Sequence, residues 1–549
     1  MAAFASLAQR PIMSEQELKL HVPAPARAGI EREIARGTAT RVRLHALYFD
    51  TPDRELARAR VAIRLRKEGR QWVQTLKTPG DHALSRIELN HERPGPVLDL
   101  SVYADTPVAA VLASLQGELA VRYETDISRL LRRVRTRHGT VEIAYDTGWL
   151  RAGDLALPVS EVEFELVSGK LDAVFDLGRR WQHKFGLVLD LRSKSHRGDA
   201  LANTAQTLGA IDPEASGATK QRAKEIARYW APQGAGASPL HADMDASQAL
   251  RAVTYECLEQ VVANAVPLAE VDTAGVYCAG GAEHVHQLRV GMRRMRSAWK
   301  LFQGWTPGPS EALVQQARAL FASFGESRDA DVLQDTVLPT LERAGMPALK
   351  LPPSESTVDA GALAASRDFQ GWVLDMLAWT LGLGHDAQPA VATSATANDN
   401  AAPGTVSAQV EIIPLSAPPV PTLTELLTGR LRKWHRRLVS EGERFLSLEA
   451  EPRHELRKRG KRLRYGLAFA EPLLNAQRLR PYRKQLSEVQ DILGEMNDLY
   501  VAQEHFEVLS AGHTQAWFAR GWIVARLDTL GVQAQSSFHT LGEIKPFWK

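Results

Sequence analysis

Two cysteines, Cys257 and Cys278, are all that the 549 residues contain. That scarcity excludes a disulfide framework and a cysteine-built zinc site, and it predicts a reducing, cytoplasmic setting. Long apolar runs are missing too. No window approaches about 18 uninterrupted apolar residues, so no membrane span is expected. Residues 1–13 lack a basic start and a long apolar core, so no signal peptide is expected either. Neither GxxxxGKS/T nor GxGxxG occurs, which removes the two common phosphate cradles, and serine or cysteine nucleophile motifs are absent. Net charge is also small, at +3. It is the difference of 67 basic and 64 acidic residues, so the distribution of charge matters more than the total.

What is present is length for about two to four domains and a 44% hydrophobic fraction to fill their cores. In Glu15-Gln16-Glu17-Leu18-Lys19, an extended chain puts Glu15, Glu17 and Lys19 on one face and Gln16, Leu18 and Leu20 on the other. Taken alone, such a segment reads as a solvated edge strand. The pattern recurs, however. Strand signals at Val42–Phe49, Val61–Arg66, Gln71–Lys77, Ser85–Glu92, Val141–Asp146 and Val159–Leu166 are bounded by turn formers such as Thr51-Pro52-Asp53, Pro79-Gly80 and Gly139. Ile63 and Leu65 alternate with Arg64 and Arg66, and Val162, Phe164 and Leu166 alternate with Glu161, Glu163 and Glu165. Helical stretches at 24–37, Asp105–Leu115 and Val174–Phe185 would cover the outside of an antiparallel sheet.

Water-facing strands carry mixed polar residues, whereas here arginines occupy one strand and glutamates another. Segregation by sign predicts an interior, namely a closed barrel of about eight strands with a ligand-sized lumen. Clustered carboxylates need a cation among them, and oxygen-only ligands suit hard divalent ions. Glu15, Glu17, Glu163 and Glu165 therefore read as catalytic acids and as ligands of Mg²⁺ or Mn²⁺. Lys19, Arg64, Arg66, Lys77, Arg86, Arg129 and Lys194 would face them and grip a chain of phosphates.

In order, ExExK (Glu15, Glu17, Lys19), YFDTP (Tyr48–Pro52), IRLR (Ile63–Arg66), TLK (Thr75–Lys77), ETDxxR (Glu124–Arg129), EIAYDxG (Glu142–Gly148), EVEFEL (Glu161–Leu166) and SKxxRG (Ser193–Gly198) resemble the CYTH, or triphosphate tunnel metalloenzyme, family. The resemblance covers nearly all of residues 12–205. It implies a closed antiparallel tunnel, divalent metal on the acidic strands and hydrolysis of triphosphate substrates. Cyclisation of a nucleoside triphosphate and thiamine triphosphate hydrolysis stand as alternatives. The segment SKSHRGDAL departs from the family in lacking an aromatic after RG.

Residues 206–239 read as a helix and a linker, and 240–549 as amphipathic helices. His286, Leu288, Arg289, Arg293, Arg294, Met295 and Arg296 recur 168 positions later as His454, Leu456, Arg457, Lys461, Arg462, Leu463 and Arg464. The unit is thus duplicated, with about four helices per copy. On a wheel of 100° per residue, the basic residues of each stretch form a stripe opposite an apolar face. Solvated faces interleave acids at i+4, and these barely do. The signatures HxxRxxxRRxR and HxLRKxxKRLRY, with RDADVL (Arg328–Leu333), resemble the CHAD domain. That resemblance implies non-catalytic binding of inorganic polyphosphate by His286, Arg289, Arg293, Arg294, Arg296, His454, Arg457, Lys458, Lys461, Arg462 and Arg464. Asp329 and Asp498 would orient basic side chains.

Residues 386–422 hold no aromatic, Lys or Arg and read as a disordered insertion. The whole is expected to be a multidomain α+β protein, with an N-terminal closed antiparallel β-barrel tunnel and a C-terminal all-α domain of two four-helix repeats. The expected partners are inorganic triphosphate and polyphosphate, with association to polyphosphate granules. Nucleic acid is disfavoured, because the stripes lack base-stacking aromatics. A non-catalytic polyphosphate-binding protein is the second reading.

Overall fold

The computed structural model describes residues 13–82, 84–325, 333–349, 359–383, 421–545 and 547–548. Strands β1 (Met13–His21), β2 (Thr40–Asp50), β3 (Ala62–Glu68), β4 (Gln71–Pro79), β5 (Ser85–Arg93), β6 (Ala120–Thr136), β7 (Gly139–Ala152), β8 (Leu155–Gly169) and β9 (Val188–Leu189) form one sheet. The order is β5-β4-β3-β2-β6-β7-β8-β1-β9, and β5 also pairs with β1. Eight strands therefore close on themselves, with β9 extending alongside β1. Closure leaves no open edge, and it forces alternate residues inward along each strand.

Strand β6 and the two-residue β9 are left out by the sequence pattern, and β6 is the one that completes the barrel. Its outward residues Glu124, Asp126 and Ser128 bond His45, Arg43 and Arg41 on partly exposed surface, while Arg129 faces inward. Its inner face alternates Tyr123, Thr125 and Ile127 with those polar residues before Arg129, a period-2 signal that the arginine-rich remainder of the strand dilutes.

Helices α1 (Arg27–Ile34), α2 (Glu55–Arg58), α3 (Ala109–Ala113) and α4 (Asp172–Phe185) flank the barrel. On the outside, Leu18, Leu20, Ile143, Val162 and Phe164 are buried with Ile30, Ile34 and Trp181 from α1 and α4. The edge-to-face pair Phe164–Trp181, 5.5 Å between ring centres, locks this outer layer. Helix α5 (Lys194–Gly209) behaves differently, since Leu201 and Ala202 pack on inward-facing Tyr48, Tyr123, Ile127, Leu150, Leu157 and Val159. It closes one end of the barrel. A Cβ on Gly198 would lie 2.3 Å from the Tyr123 ring, so only glycine permits that approach. The boundary expected at residue 205 falls inside this helix, and α6 (Ala218–Tyr229) continues the cap.

The helical half contains α7 (Ala246–Ala269), α8 (Ala282–Phe302), α9 (Glu311–Ser323), α10 (Leu338–Arg343), α11 (Ala360–Ala365) and α12 (Arg367–Thr380). It continues with α13 (Leu423–Gly442), α14 (Ala450–Ala470), α15 (Ala476–Leu509) and α16 (Gln515–Glu543). Helices α8 and α14 begin and end 168 residues apart, the spacing of the repeat, and α13–α16 form the four-helix second copy. The expected insertion lies outside the described residues apart from its end, where Thr422 belongs to the capping box of α13. Arg328 and Asp329 also lie outside them.

Barrel and bundle share one apolar core, because the cluster containing Leu18 and Phe164 continues into Leu250, Val253, Phe369 and Trp372. Arg179–Asp375 (2.5 Å), Arg27–Asp272 (2.8 Å) and Leu189 N–H to Gln370 Oε1 (2.9 Å) stitch the seam.

Phe164→Ala is expected to cost about 3–5 kcal/mol, the usual range for an aromatic removed from a core. Urea unfolding measures this, and an unchanged midpoint would show that the outer layer does not hold the barrel.

Candidate functional site

Register carries the acids and bases into the lumen. Glu17 lies opposite Glu165, Lys19 opposite Glu163 and His21 opposite Glu161, while the intervening Leu18 and Phe164 face the outer core. Arg64 on β3 pairs across with Tyr48, and Lys77 on β4 with Glu88. All four acids named from sequence are inward, as are Lys19, Arg64, Arg66, Lys77 and Arg129.

Two carboxylate groups can be distinguished by how they are neutralised. In the deeper one, oxygens of Asp146, Glu161 and Glu163 lie within 4.8 Å of one another. Arg129 forks onto Asp146 at 2.7 Å through both nitrogens and reaches Glu163 at 2.5 Å. Lys194 holds Asp146 (2.8 Å), Glu163 (2.7 Å) and Glu161, and Arg197 also holds Glu161. Burial opposes these charges, but the Lys194 and Arg129 cations keep the Asp146 carboxyl below its ordinary range.

The outer group is not balanced in this way. Lys77 bonds Glu15 at 2.9 Å and Glu88 at 2.5 Å, and Arg64 approaches Glu88 and the Tyr48 hydroxyl at 3.4 Å each. Burial and a hydrogen bond shared with Glu88 push Glu15 up to about 8, so the Glu15–Glu88 pair shares one proton near neutrality. Burial and the charges of Glu17, Glu142 and Glu163 push Glu165 up to about 7. Among the described residues neither Glu17 nor Glu165 is in an ion pair. A cluster made only of oxygen ligands, and short of positive charge, is the donor set that a hard divalent ion fits. Among the described residues, Asp146, Glu161 and Glu163 are the carboxylates whose oxygens converge closely enough to share such an ion, and Glu17 and Glu165 lie two residues further along β1 and β8.

Other placements are less central. Arg66 is bound to Glu68. Arg86 is in register with Glu15, yet its guanidinium donates to Ser85 O at 2.8 Å, and its charge acts on Glu259 and Tyr255 of α7 at the barrel end. Sequence reasoning did not assign Glu88, Asp146, Glu161, Tyr48 or Arg197 to the site. Strand parity offered a signal for Glu88, Asp146 and Glu161, whereas Arg197, on the end-capping helix, was marked only by its place in the SKxxRG motif.

The second site lies where α8 meets α14. Arg289, Arg293 and Arg296 surround the Phe321 ring at 4.8, 5.6 and 5.5 Å, and Arg289 also donates to Gly325 O at 3.2 Å. On α14, Lys458 pairs with Glu455 at 2.7 Å, while Arg464 lies over Tyr465. His286 is half-buried and His454 exposed near the starts of the two helices, and Arg457 and Arg462 are half-buried along α14. The two stripes converge, because burial and then the charges of Arg293, Arg457 and Arg464 push Lys461 down to about 7, against an opposing pull from Asp498. Burial, Arg318, Arg293 and Arg462 likewise lower Arg296. Arg294 is a correction. It is 4% exposed, forked onto Glu256 at 3.0 and 2.7 Å and bonded to Gln260, so it ties α8 to α7 and does not reach this surface.

A closed antiparallel tunnel with acids and bases sorted inside, joined to a duplicated helical unit with a basic groove, defines the class of this molecule. Residues 13–198 match the CYTH domain and residues 253–507 the CHAD domain. The chain thus carries a CYTH domain followed by a CHAD domain. It is 30% identical over 202 residues to the inorganic triphosphatase of Haemophilus influenzae, a match covering 35% of this chain and 56% of that protein, so it spans little more than half the length of this curated relative. The crystal structure of the CHAD domain from the plant Ricinus communis is similar at 27% identity, with 56% of this chain and 96% of that chain covered and a TM-score of 0.42. HpAC1 from Hippeastrum, described as having a dominant triphosphatase activity, is similar at 17% identity, covering 37% of this chain and 98% of that one, with a TM-score of 0.25. Among the described residues no helix is long and apolar enough to cross a membrane.

Lys461 yields a stability prediction. Its folded-state pKa near 7 is below the usual lysine value of about 10.4, so folding is opposed by a full charging cost below about pH 7, and that cost fades as pH rises through the window between the two values. Lys461→Met is therefore expected to raise Tm at about pH 6 and to change it little at about pH 10. Calorimetry at both values checks this, and an equal shift at both would contradict the charge account.

Proposed function

We propose that the tunnel hydrolyses inorganic triphosphate with Mg²⁺ or Mn²⁺ held by the glutamates, and that the α8–α14 groove binds inorganic polyphosphate. The carrying observation is the lumen itself, where unneutralised carboxylates face Arg64, Lys77, Arg129 and Lys194 across a space closed at one end. The named activity of the Haemophilus influenzae relative supports the choice of substrate.

In this reading Arg64 and Lys77 take phosphate oxygens in place of Glu88, while Arg129 and Lys194 hold the phosphate nearest the deeper carboxylates. Charge-assisted donors prearranged in a water-poor space stabilise the charge that develops on the phosphoryl oxygens. A bound divalent ion supplies charge neutralisation and lowers the pKa of the attacking water. Water attacks the terminal phosphorus, the P–O–P bond breaks and the products are orthophosphate and pyrophosphate. The proton lost by the water goes to pyrophosphate or to solvent. Glu163 orients Arg129 and Lys194, the Glu15–Glu88 pair keeps one proton near neutrality, and the end-capping helix excludes bulk water. The helical groove takes longer chains by matching several cations to successive phosphates, and the cytoplasm with its polyphosphate granules is the setting this reading assigns.

Orthophosphate release from tripolyphosphate tests the catalytic half. Arg64→Ala is expected to lower kcat by about 10²–10³, the range for removing one prearranged donor. Glu163→Gln is expected to lose at least as much, and EDTA to abolish turnover. Undiminished turnover in either variant would remove the tunnel from the chemistry.

A further inference from the structure

The two copies of the repeat differ in their first helix. In copy one, α7 is buried nearly all round, with Leu250, Val253, Leu258, Val261 and Val262 in the core shared with the barrel. In copy two, α13 buries Leu427, Leu431 and Leu438 on one side only. Its other side carries Arg432, Lys433, Arg436 and Arg437, all exposed, which form with Gly429 and Ser440 one open basic face. On a wheel of 100° per residue these six positions span about 140°. Arg432, Lys433 and Arg436 make no ion pair among the described residues, and the one carboxylate in contact is Glu441, which pairs with Arg437 at 2.9 Å and with Arg459 of α14.

Glu441 places this face beside the groove already described. Arg437 and Arg462 both act on the charge of Arg459, and Arg462 acts on Arg296 of α8. The cations therefore run on from Arg296 through Arg462, Arg459 and Arg437 to Arg436 and Arg432. A solvated helix face would interleave acids at i+4, and only Glu441 does so here. No aromatic lies on this face to stack a base, which favours a plain polyanion over single-stranded nucleic acid.

We propose that the exposed face of α13 is an extension of the polyanion groove, engaged by polyphosphate chains long enough to run beyond α8 and α14. This rests on the polyphosphate reading above. The first copy has no counterpart because its first helix is covered by α8, α11, α12 and β9, so the extended track runs off one side only.

The test uses the full chain and the triple variant Arg432→Glu/Lys433→Glu/Arg436→Glu, with short-chain polyphosphate, long-chain polyphosphate and single-stranded DNA as probes. Because the three residues are exposed, the variant is expected to keep the wild-type Tm. Long-chain affinity is expected to fall about tenfold or more, and its salt dependence to lose about two to three phosphate contacts, with short-chain affinity unchanged. Equal losses for short and long chains, no loss for either, or a loss confined to DNA would each overturn the proposal. Failure of the wild-type chain to bind either polyphosphate would instead overturn the underlying reading.

Discussion

Charge confined in a closed barrel is the constraint on which the rest of the structure depends. Eight strands joined edge to edge leave their inward side chains little access to water, and a charge there must find a partner, take up a proton or wait for a ligand. All three solutions are present. Asp146, Glu161 and Glu163 are paired by Arg129, Lys194 and Arg197. Glu15 and Glu165 shift toward the protonated form. Glu17 and Glu165 lie opposite one another across β1 and β8, in no ion pair among the described residues, and in the reading proposed above it is here that a cation from outside is taken up.

The helical half meets the same constraint with the opposite sign. Packing α8 against α14 brings two basic stripes into one place and leaves Lys461 with a burial cost that Asp498 only partly offsets. A protein under selection for stability alone would carry an apolar residue there. The barrel and bundle also share a core, so neither can be regarded as a freely swinging module. Trp230 makes a further link, accepting at its carbonyl from the His284 ring nitrogen at 2.7 Å and lying against Arg192 at the closed end of the barrel.

Much of this was legible in the sequence, and for identifiable reasons. Strands β1, β3 and β8 expose their inner faces through period-2 alternation of charge with Leu18, Ile63, Leu65, Val162 and Phe164, and the outer core buries each of those residues. The duplication was readable because α8 and α14 keep register residue by residue. Strand β6 was missed although Tyr123, Thr125 and Ile127 alternate with Glu124, Asp126 and Ser128, since Thr125 interrupts its apolar face and the stretch from Arg129 to Arg135 is rich in arginine. Helix α5 was missed as an end plug because Arg197, at 2% exposure, and the apolar inner residues around Tyr123 become neighbours only when the barrel closes. Arg294 resembled its neighbours by type and spacing, but it projects toward Glu256 on α7, a partner 38 residues earlier in the chain. The basic face of α13 escaped notice because it lies outside the repeated His–Arg signature.

The account stands or falls on the lumen needing a cation and a phosphate chain together. The most direct measurement is the dissociation constant of tripolyphosphate by titration calorimetry, for the full chain and for a Glu17→Gln/Glu165→Gln variant, with Ca²⁺ in place of Mg²⁺ to slow turnover. The account predicts tight binding by the wild-type chain only when the divalent ion is present, and loss of that dependence in the variant. Equal affinity with and without the ion in the wild-type chain would contradict it.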